Sequence, residues 1–404
     1  MSGSVGSVPL AYRRGGHQPY EPSPELLRLR DEEAPTRQTA PNGDPVWLVT
    51  RYAQVRRVLA DRSFSVSKVP NTVLRPKATG RAFVASPARQ PGSFLGADPP
   101  EHTRLRRMVS SAFTPRRMRT LQIRIEEIVA DRIESLTASG PPADLVQSFT
   151  LPIPSEIICE MIGVPQSDRP EFRCRAQRMF DQTLDREALI DTFAPVWEYL
   201  TDLVARQRRH PDDTILGGLV RTHGAELTDP EVTGITNLLL AAGHDTTANT
   251  LALGALLLIQ RPDALATIRE DPDSIDGAVE EILRYLSVAQ TGLIRTATED
   301  TELGGQHIAE GDLVMLSLCT ANRDHQIFPD PDTFDITRRI DDHVAFGHGT
   351  HRCLGAPLAR TEMCVALPAL ARAFPGLRLT VDVEDLVFRP FATVFGLAAL
   401  PVEW

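Results

Sequence analysis

The chain has 404 residues, with 43 Lys and Arg against 53 Asp and Glu, a formal charge of −10 at pH 7 and 42% hydrophobic residues. That charge argues against a general nucleic-acid binder, which needs a positive face, and the apolar fraction excludes wholesale disorder. Five cysteines (Cys159, Cys174, Cys319, Cys353 and Cys364), odd in number and without a C-x-x-C pair, make neither a disulfide framework nor a zinc ribbon and point to a reducing, cytoplasmic setting.

No apolar run follows the first charges, so neither a secretory signal nor a membrane anchor is expected. The longest uncharged stretch, residues 246–260, falls short of the ~20 residues that span a bilayer. Arginine outnumbers lysine 41 to 2, a bias that a GC-rich bacterial genome produces.

Residues 1–40, rich in Gly, Pro and Ser, read as a loosely held lead-in, and 41–404 as a single domain, since no linker divides them. Residues 44–60 read as a short strand followed by a helix. Residues 63–97 carry Pro70, Pro76, Pro87 and Pro91 without a clean period, which predicts a long irregular loop. Helical patterns follow at 100–113, 115–138, 148–162, 186–209, 229–260, 263–270 and 273–286. Strand signals at 293–298 and 313–318, around a turn at Gly304-Gly305, predict antiparallel sheet, and 378–383 with 391–400 a second small sheet. The fold class is mainly α with small β-sheets.

Three segments carry chemistry. In Phe346–Arg360, FGHGTHRCLGAPLAR, Gly347, Gly349 and Gly355 crowd around Cys353 just ahead of a helical run. Glycines let backbone approach a flat ligand closely, and a cysteine before a helix sits where amide groups and the dipole favour the thiolate. Such a thiolate is a nucleophile or a metal ligand. The helix expected at 229–260 opens on a capping box, Thr228 to Glu231, and carries AAGHDTTANT, Ala241 to Thr250, in an otherwise apolar run. Glu281 and Arg284, at i and i+3, share one helical face.

These segments resemble those of the cytochrome P-450 family. Every fixed position of the family's haem loop, F-G-x-G-x-H-x-C-x-G, is matched by Phe346, Gly347, Gly349, His351, Cys353 and Gly355. Ala242-Gly243-His244-Asp245-Thr246 matches A-G-x-[DE]-T, and Glu281 with Arg284 matches E-x-x-R. The resemblance implies the triangular haem-thiolate fold with a long central helix, and haem b held by Cys353 as axial ligand. It implies a dioxygen groove near Ala242 and Gly243, and proton delivery by Thr246 and Asp245. Arg338 is implied as a third partner of Glu281 and Arg284. His102 and Arg106, with Arg295 and His351, match propionate positions.

Substrate-facing positions implied by the resemblance lie in the 63–95 loop, around 170–185, and at Leu238, Ala241, Val288, Gln290, Leu293, Thr393, Val394 and Phe395. They suggest a medium or large apolar substrate, such as a polyketide, macrolide, terpenoid or peptide-derived molecule, hydroxylated or epoxidised with O2. Electrons are expected from NAD(P)H through a separate reductase and ferredoxin. Seven arginines against one acid between Glu101 and Arg124 make a basic island suited to an acidic donor. A monomer is expected. A peroxide-driven, coupling or desaturating member, and a non-enzymatic haem sensor or carrier, are the alternatives.

Overall fold

A computed structural model of the chain describes residues 10, 13–15, 18–40, 42–73, 89–172, 186–290, 293–340, 342–389 and 394–404. Ser23 caps helix α1 (Pro24–Asp31) by accepting the Leu26 N–H. Strand β1 (Thr36–Thr39) pairs antiparallel with β2 (Pro45–Val49), and helix α2 (Tyr52–Ala60) follows. The stretch 18–40 is therefore not a loose lead-in. Its few apolar residues are anchors, Tyr20 and Leu26 being fully buried, which its Pro-rich composition conceals. Strand β3 (Phe64–Ser65) comes next. Of the irregular loop expected at 63–97, residues 74–88 lie outside the described residues.

Helices then dominate: α3 (Glu101–Ser110), α4 (Pro115–Ser139), α5 (Pro152–Ile162), α6 (Arg186–Arg209), α7 (Ile215–His223), α8 (Asp229–Ile259), α9 (Pro262–Glu270) and α10 (Ile275–Leu286), with strand β4 (Ala143–Asp144) between α4 and α5. Helix α7 has no counterpart in the sequence expectations. It is nine residues long, contains Gly217 and Gly218, and starts from a Thr214 cap. The capping box of α8 is present, with Thr228 and Glu231 each accepting the other's amide. This helix is apolar around its whole circumference and is accordingly buried along most of its length.

Strands β5 (Ile294–Ala297), β6 (Thr301–Leu303), β7 (Gln306–Ile308) and β8 (Leu313–Leu316) precede the short helix α11 (Leu318–Ala321) and the long α12 (Ala356–Ala373). Strands β6 and β7 form a hairpin across Gly304-Gly305, and β5 pairs antiparallel with β8, Ile294 opposite Met315. The five-stranded sheet runs β1-β2-β8-β5-β3, and β2 and β8 are parallel, so the sheet is mixed. Alternation along β2 feeds two cores: Trp47 and Val49 join one apolar cluster, Val46 and Leu48 the other. A third, larger cluster surrounds α8.

The second sheet joins β4, β10 (Pro401–Glu403) and β9 (Arg378–Leu379). The strand expected at 391–400 is displaced: residues 391–393 lie outside the described residues, and 394–400 form only isolated bridges such as Ala289 with Val394. Among the described residues no single helix is long and apolar enough to cross a membrane.

Candidate cofactor and active site

A cavity lies between α8 on one side and the loop 345–355 with the start of α12 on the other. Its volume of about 1500 Å³ includes open solvent at the mouth. Its walls are almost entirely apolar: Phe94 and Leu95 from the loop before α3, Phe113, Ile158 from α5, Val288, Ala289 and Leu293. From α8 come Leu238, Leu239, Ala242, Gly243, Thr246, Thr247 and Thr250. Cys353, Phe346, Gly347 and Gly355 line the opposite wall.

The cysteine loop owes its shape to two glycines. Gly347 and Gly349 both sit at φ +70°, in the left-handed region. A Cβ on Gly349 would stand 2.5 Å from the Leu59 carbonyl oxygen, so the loop could not seat on α2 with a larger residue. Gly349 thus shapes the loop from behind and does not itself line the cavity. The Cys353 amide donates to Phe346 O at 2.8 Å and closes the loop.

Cys353 has its exposed surface on the cavity it lines. Burial pushes its thiol pKa up, while the Gly355 and Ala356 amides and the charge of Arg106 oppose that shift by stabilising the thiolate. A single sulfur with amide donors behind it suits a metal whose other ligands come with a cofactor. Consistent with that, no group of three His, Cys, Asp or Glu able to hold a bare metal ion occurs among the described residues.

One edge of the cavity gathers cationic and donor groups that lack a carboxylate partner. Arg106 and His351 line it. The His102 ring packs 4.2 Å from that of His351, and both His102 ring nitrogens are buried without a hydrogen-bond partner. Arg295 is 4% exposed and gives one hydrogen bond, to Ile294 O. Burial lowers its pKa to about 10, and burial with neighbouring cations takes His351 to about 3. Buried donors left this way fit the acidic edge of a flat cofactor.

Behind the loop, Glu281 and Arg284 are fully buried. All five N–H groups of Arg284 are used: two on Glu281 at 2.7 and 2.8 Å, the others on Asn322 O, Pro331 O and Thr333 O. Arg338 reaches Glu281 at 3.4 Å and also holds Thr333 O. The cluster ties α10 to the meander, residues 322–338, that leads toward the cysteine loop.

Asp245 and Thr246 of the α8 motif part company. Thr246 lines the cavity and donates to Ala242 O at 2.7 Å. Asp245 does not line it. Ala241, Asp245 and Asn249 form an i, i+4 ridge on another face of the helix. There Asp245 accepts from Arg389 Nη2 at 2.9 and 3.0 Å and from Asn249 Nδ2 at 3.0 Å. Together with His244 they border a separate small polar cavity. Burial raises the Asp245 pKa, and Arg389 pulls against that rise. Sequence reasoning missed Arg389 and Asn249; Asn249 at i+4 from Asp245 was a usable signal, whereas Arg389, 144 positions away, gave none.

Of the substrate-facing expectations, Leu238, Val288 and Leu293 line the cavity. Ala241 does not, because it shares the ridge of Asp245. Gln290 and Val394 do not line it either. Phe395 turns into the core, stacked at 5.3 Å on Phe388 and 4.8 Å beneath Arg14. Thr393 and residues 173–185 lie outside the described residues.

The basic island is smaller than its sequence count. Arg104 is paired with Glu101 and Glu231, and Arg124 with Glu127 and Glu160. Arg117 donates to Asp213 O, and Arg106 faces the cavity. Arg107, Arg116 and Arg119 remain exposed.

The family model described as Cytochrome P450 matches residues 202–385. The chain is 40% identical over 384 residues to nocardicin C N-oxygenase of Nocardia uniformis subsp. tsuyamanensis, covering 94% of this chain and 95% of that one. It is 38% identical over 404 residues to pentalenic acid synthase of Streptomyces avermitilis, covering 100% and 99%. The crystal structure of CYP105P1 in complex with filipin I superposes with a TM-score of 0.90 at 38% identity, covering 98% of this chain and 99% of that one.

Proposed function

The chain belongs to the cytochrome P450 family and is a monooxygenase of that family, and from this premise we propose that it hydroxylates or epoxidises a medium or large apolar molecule in bacterial secondary metabolism. The observation that carries the reading is the apolar cavity joining the Cys353 sulfur to Thr246 across one space. Relatives named for a nocardicin and for pentalenic acid support the metabolic setting. The net reaction joins one atom of O2 to the substrate and reduces the other to water with two electrons and two protons.

When bound, haem supplies the activation of dioxygen. Cys353 is the residue that ligates it, its charge steadied by the Gly355 and Ala356 amides. Arg106, Arg295, His102 and His351 hold its acidic edge. Ala242 and Gly243 keep the facing wall of the cavity low, Gly243 packing so close to Ile158 that a Cβ there would lie 3.2 Å from its side chain. Leu238, Val288 and Leu293 hold the substrate and exclude water. The Thr246 hydroxyl, which now donates to Ala242 O, turns to hold a proton at Oγ1 toward the cavity. Asp245, released by Arg389 and protonated from solvent, replenishes that proton.

Electrons come from redox partners, and we assign the exposed Arg107, Arg116 and Arg119 to the docking of an acidic ferredoxin. A single domain that takes in the docked stretch 18–40, monomeric and cytoplasmic, completes the proposal. The test is turnover of a panel of apolar natural products in ¹⁸O2 with NADPH, ferredoxin and reductase. One labelled oxygen in the product supports the reading. Turnover with peroxide alone, or none with any compound that displaces the ferric spin state, contradicts it.

A further inference from the structure

Adjacent residues of α10 hold different parts of the molecule. Glu281 anchors the meander, as described above. Glu280 turns the other way and receives Arg360 of α12 in a two-pronged pair at 2.5 and 2.9 Å. His343 Nδ1 accepts the Ala345 amide at 3.1 Å, so its proton is on Nε2, which donates to Glu280 Oε2 at 3.0 Å. The neutral histidine leaves one positive and one negative charge, which offset each other.

The pair stands close behind the cysteine loop. Arg360 is one turn beyond Ala356, whose amide turns to the Cys353 sulfur, and its guanidinium lies 4.7 Å over the Phe346 ring. Phe346 is the residue whose carbonyl takes the Cys353 amide, and its ring lines the cavity. The side chains of Arg360, Glu280 and His343 are 31%, 25% and 2% exposed. Charges so placed are weakly screened, and the charge of Arg360 acts on the sulfur.

We propose that Glu280 and Arg360 are positioning residues that set the reduction potential of the haem, Glu280 cancelling a positive charge that Arg360 holds beside the thiolate. The proposal rests on Cys353 being the haem ligand. An uncancelled positive charge favours the state with one more electron, and an uncancelled negative charge disfavours it. Removing the two partners singly therefore moves the potential in opposite directions, whereas a pair that only braces the loop moves it in one direction.

The test is a dithionite titration of the holoenzyme with mediator dyes, following the Soret band in wild type, Glu280→Gln, Arg360→Gln and the double variant. The expected result is a rise for Glu280→Gln and a fall for Arg360→Gln. Each shift is up to about tenfold in the reduction equilibrium, or ~59 mV for one electron. The double variant returns close to wild type, and Arg360→Lys, which keeps the charge, also stays near it. Single shifts of the same sign, or none, overturn the proposal. The ferrous–CO spectrum separates the two levels: an intact thiolate signature with unmoved potentials refutes this proposal alone. A wild type without that signature removes Cys353 as ligand and the proposal with it.

Discussion

Arg389 holds both carboxylate oxygens of Asp245, at 2.9 and 3.0 Å, on a face of α8 that does not border the apolar cavity. In the proposed relay, proton supply to Thr246 starts from a clamped acid. Burial raises the Asp245 pKa and Arg389 counters it, so Arg389→Gln raises it further. The alkaline limb of the profile of product formed per NADPH, set by the donor form of Asp245, then moves to higher pH. Asp245→Asn lacks that limb. A profile unchanged in Arg389→Gln contradicts a relay through Asp245.

Thr246 is the only residue of the Ala242–Thr246 motif whose hydroxyl lines the cavity. Thr246→Ala keeps the helix, since the lost bond to Ala242 O is a side-chain back-bond and not part of the ladder. Product per NADPH falls on the order of 10²-fold while NADPH consumption continues, and Thr246→Ser restores most of the loss. Equal loss of NADPH consumption and product shows instead that the hydroxyl serves substrate or haem binding.

Glu281 and Arg284 have no access to solvent, and every N–H of the arginine is engaged. Glu281→Gln strands a buried guanidinium, which costs ~3–5 kcal/mol. Urea unfolding of the holoprotein shifts its midpoint accordingly, and haem retention falls. A change within 0.5 kcal/mol, about that of an ordinary surface substitution, rules out the bracing role.

Glu280 gives a pH dependence. Burial acts to raise its pKa, but hydrogen bonds from Arg360 and His343 prevail and hold it at about 2. The folded state thus binds the proton less readily than the unfolded state, whose value is near 4.5. The stabilisation is complete above that value and is lost as pH falls toward about 2. The gap in urea midpoint between wild type and Glu280→Gln narrows steadily across that window. A gap independent of pH contradicts the assignment.

What was legible in the chain was local. The loop around Cys353 and the i, i+3 pair Glu281–Arg284 are motifs whose residues are neighbours in sequence. The helical spans were legible because their apolar periods are long. The side of α8 on which a residue falls was not, because the helix is apolar all round and one position turns a side chain by about 100°. Ala242 therefore lines the cavity and Ala241 does not. The clamp of Arg389 and the core placement of Phe395 depend on the path of the C-terminal segment, which no local pattern encodes. Helix α1 and the burial of Tyr20 were hidden by composition, since a few well-placed apolar residues suffice to dock a Pro-rich segment.

The central claim, that Cys353 is the thiolate ligand of a haem monooxygenase, is tested most directly by the ferrous–CO spectrum of the holoprotein beside that of Cys353→His. The account predicts the red-shifted thiolate Soret band in the wild type and its replacement by an imidazole-type band in the variant, with haem still bound. A thiolate band that survives in Cys353→His, or is absent from the wild type, contradicts it.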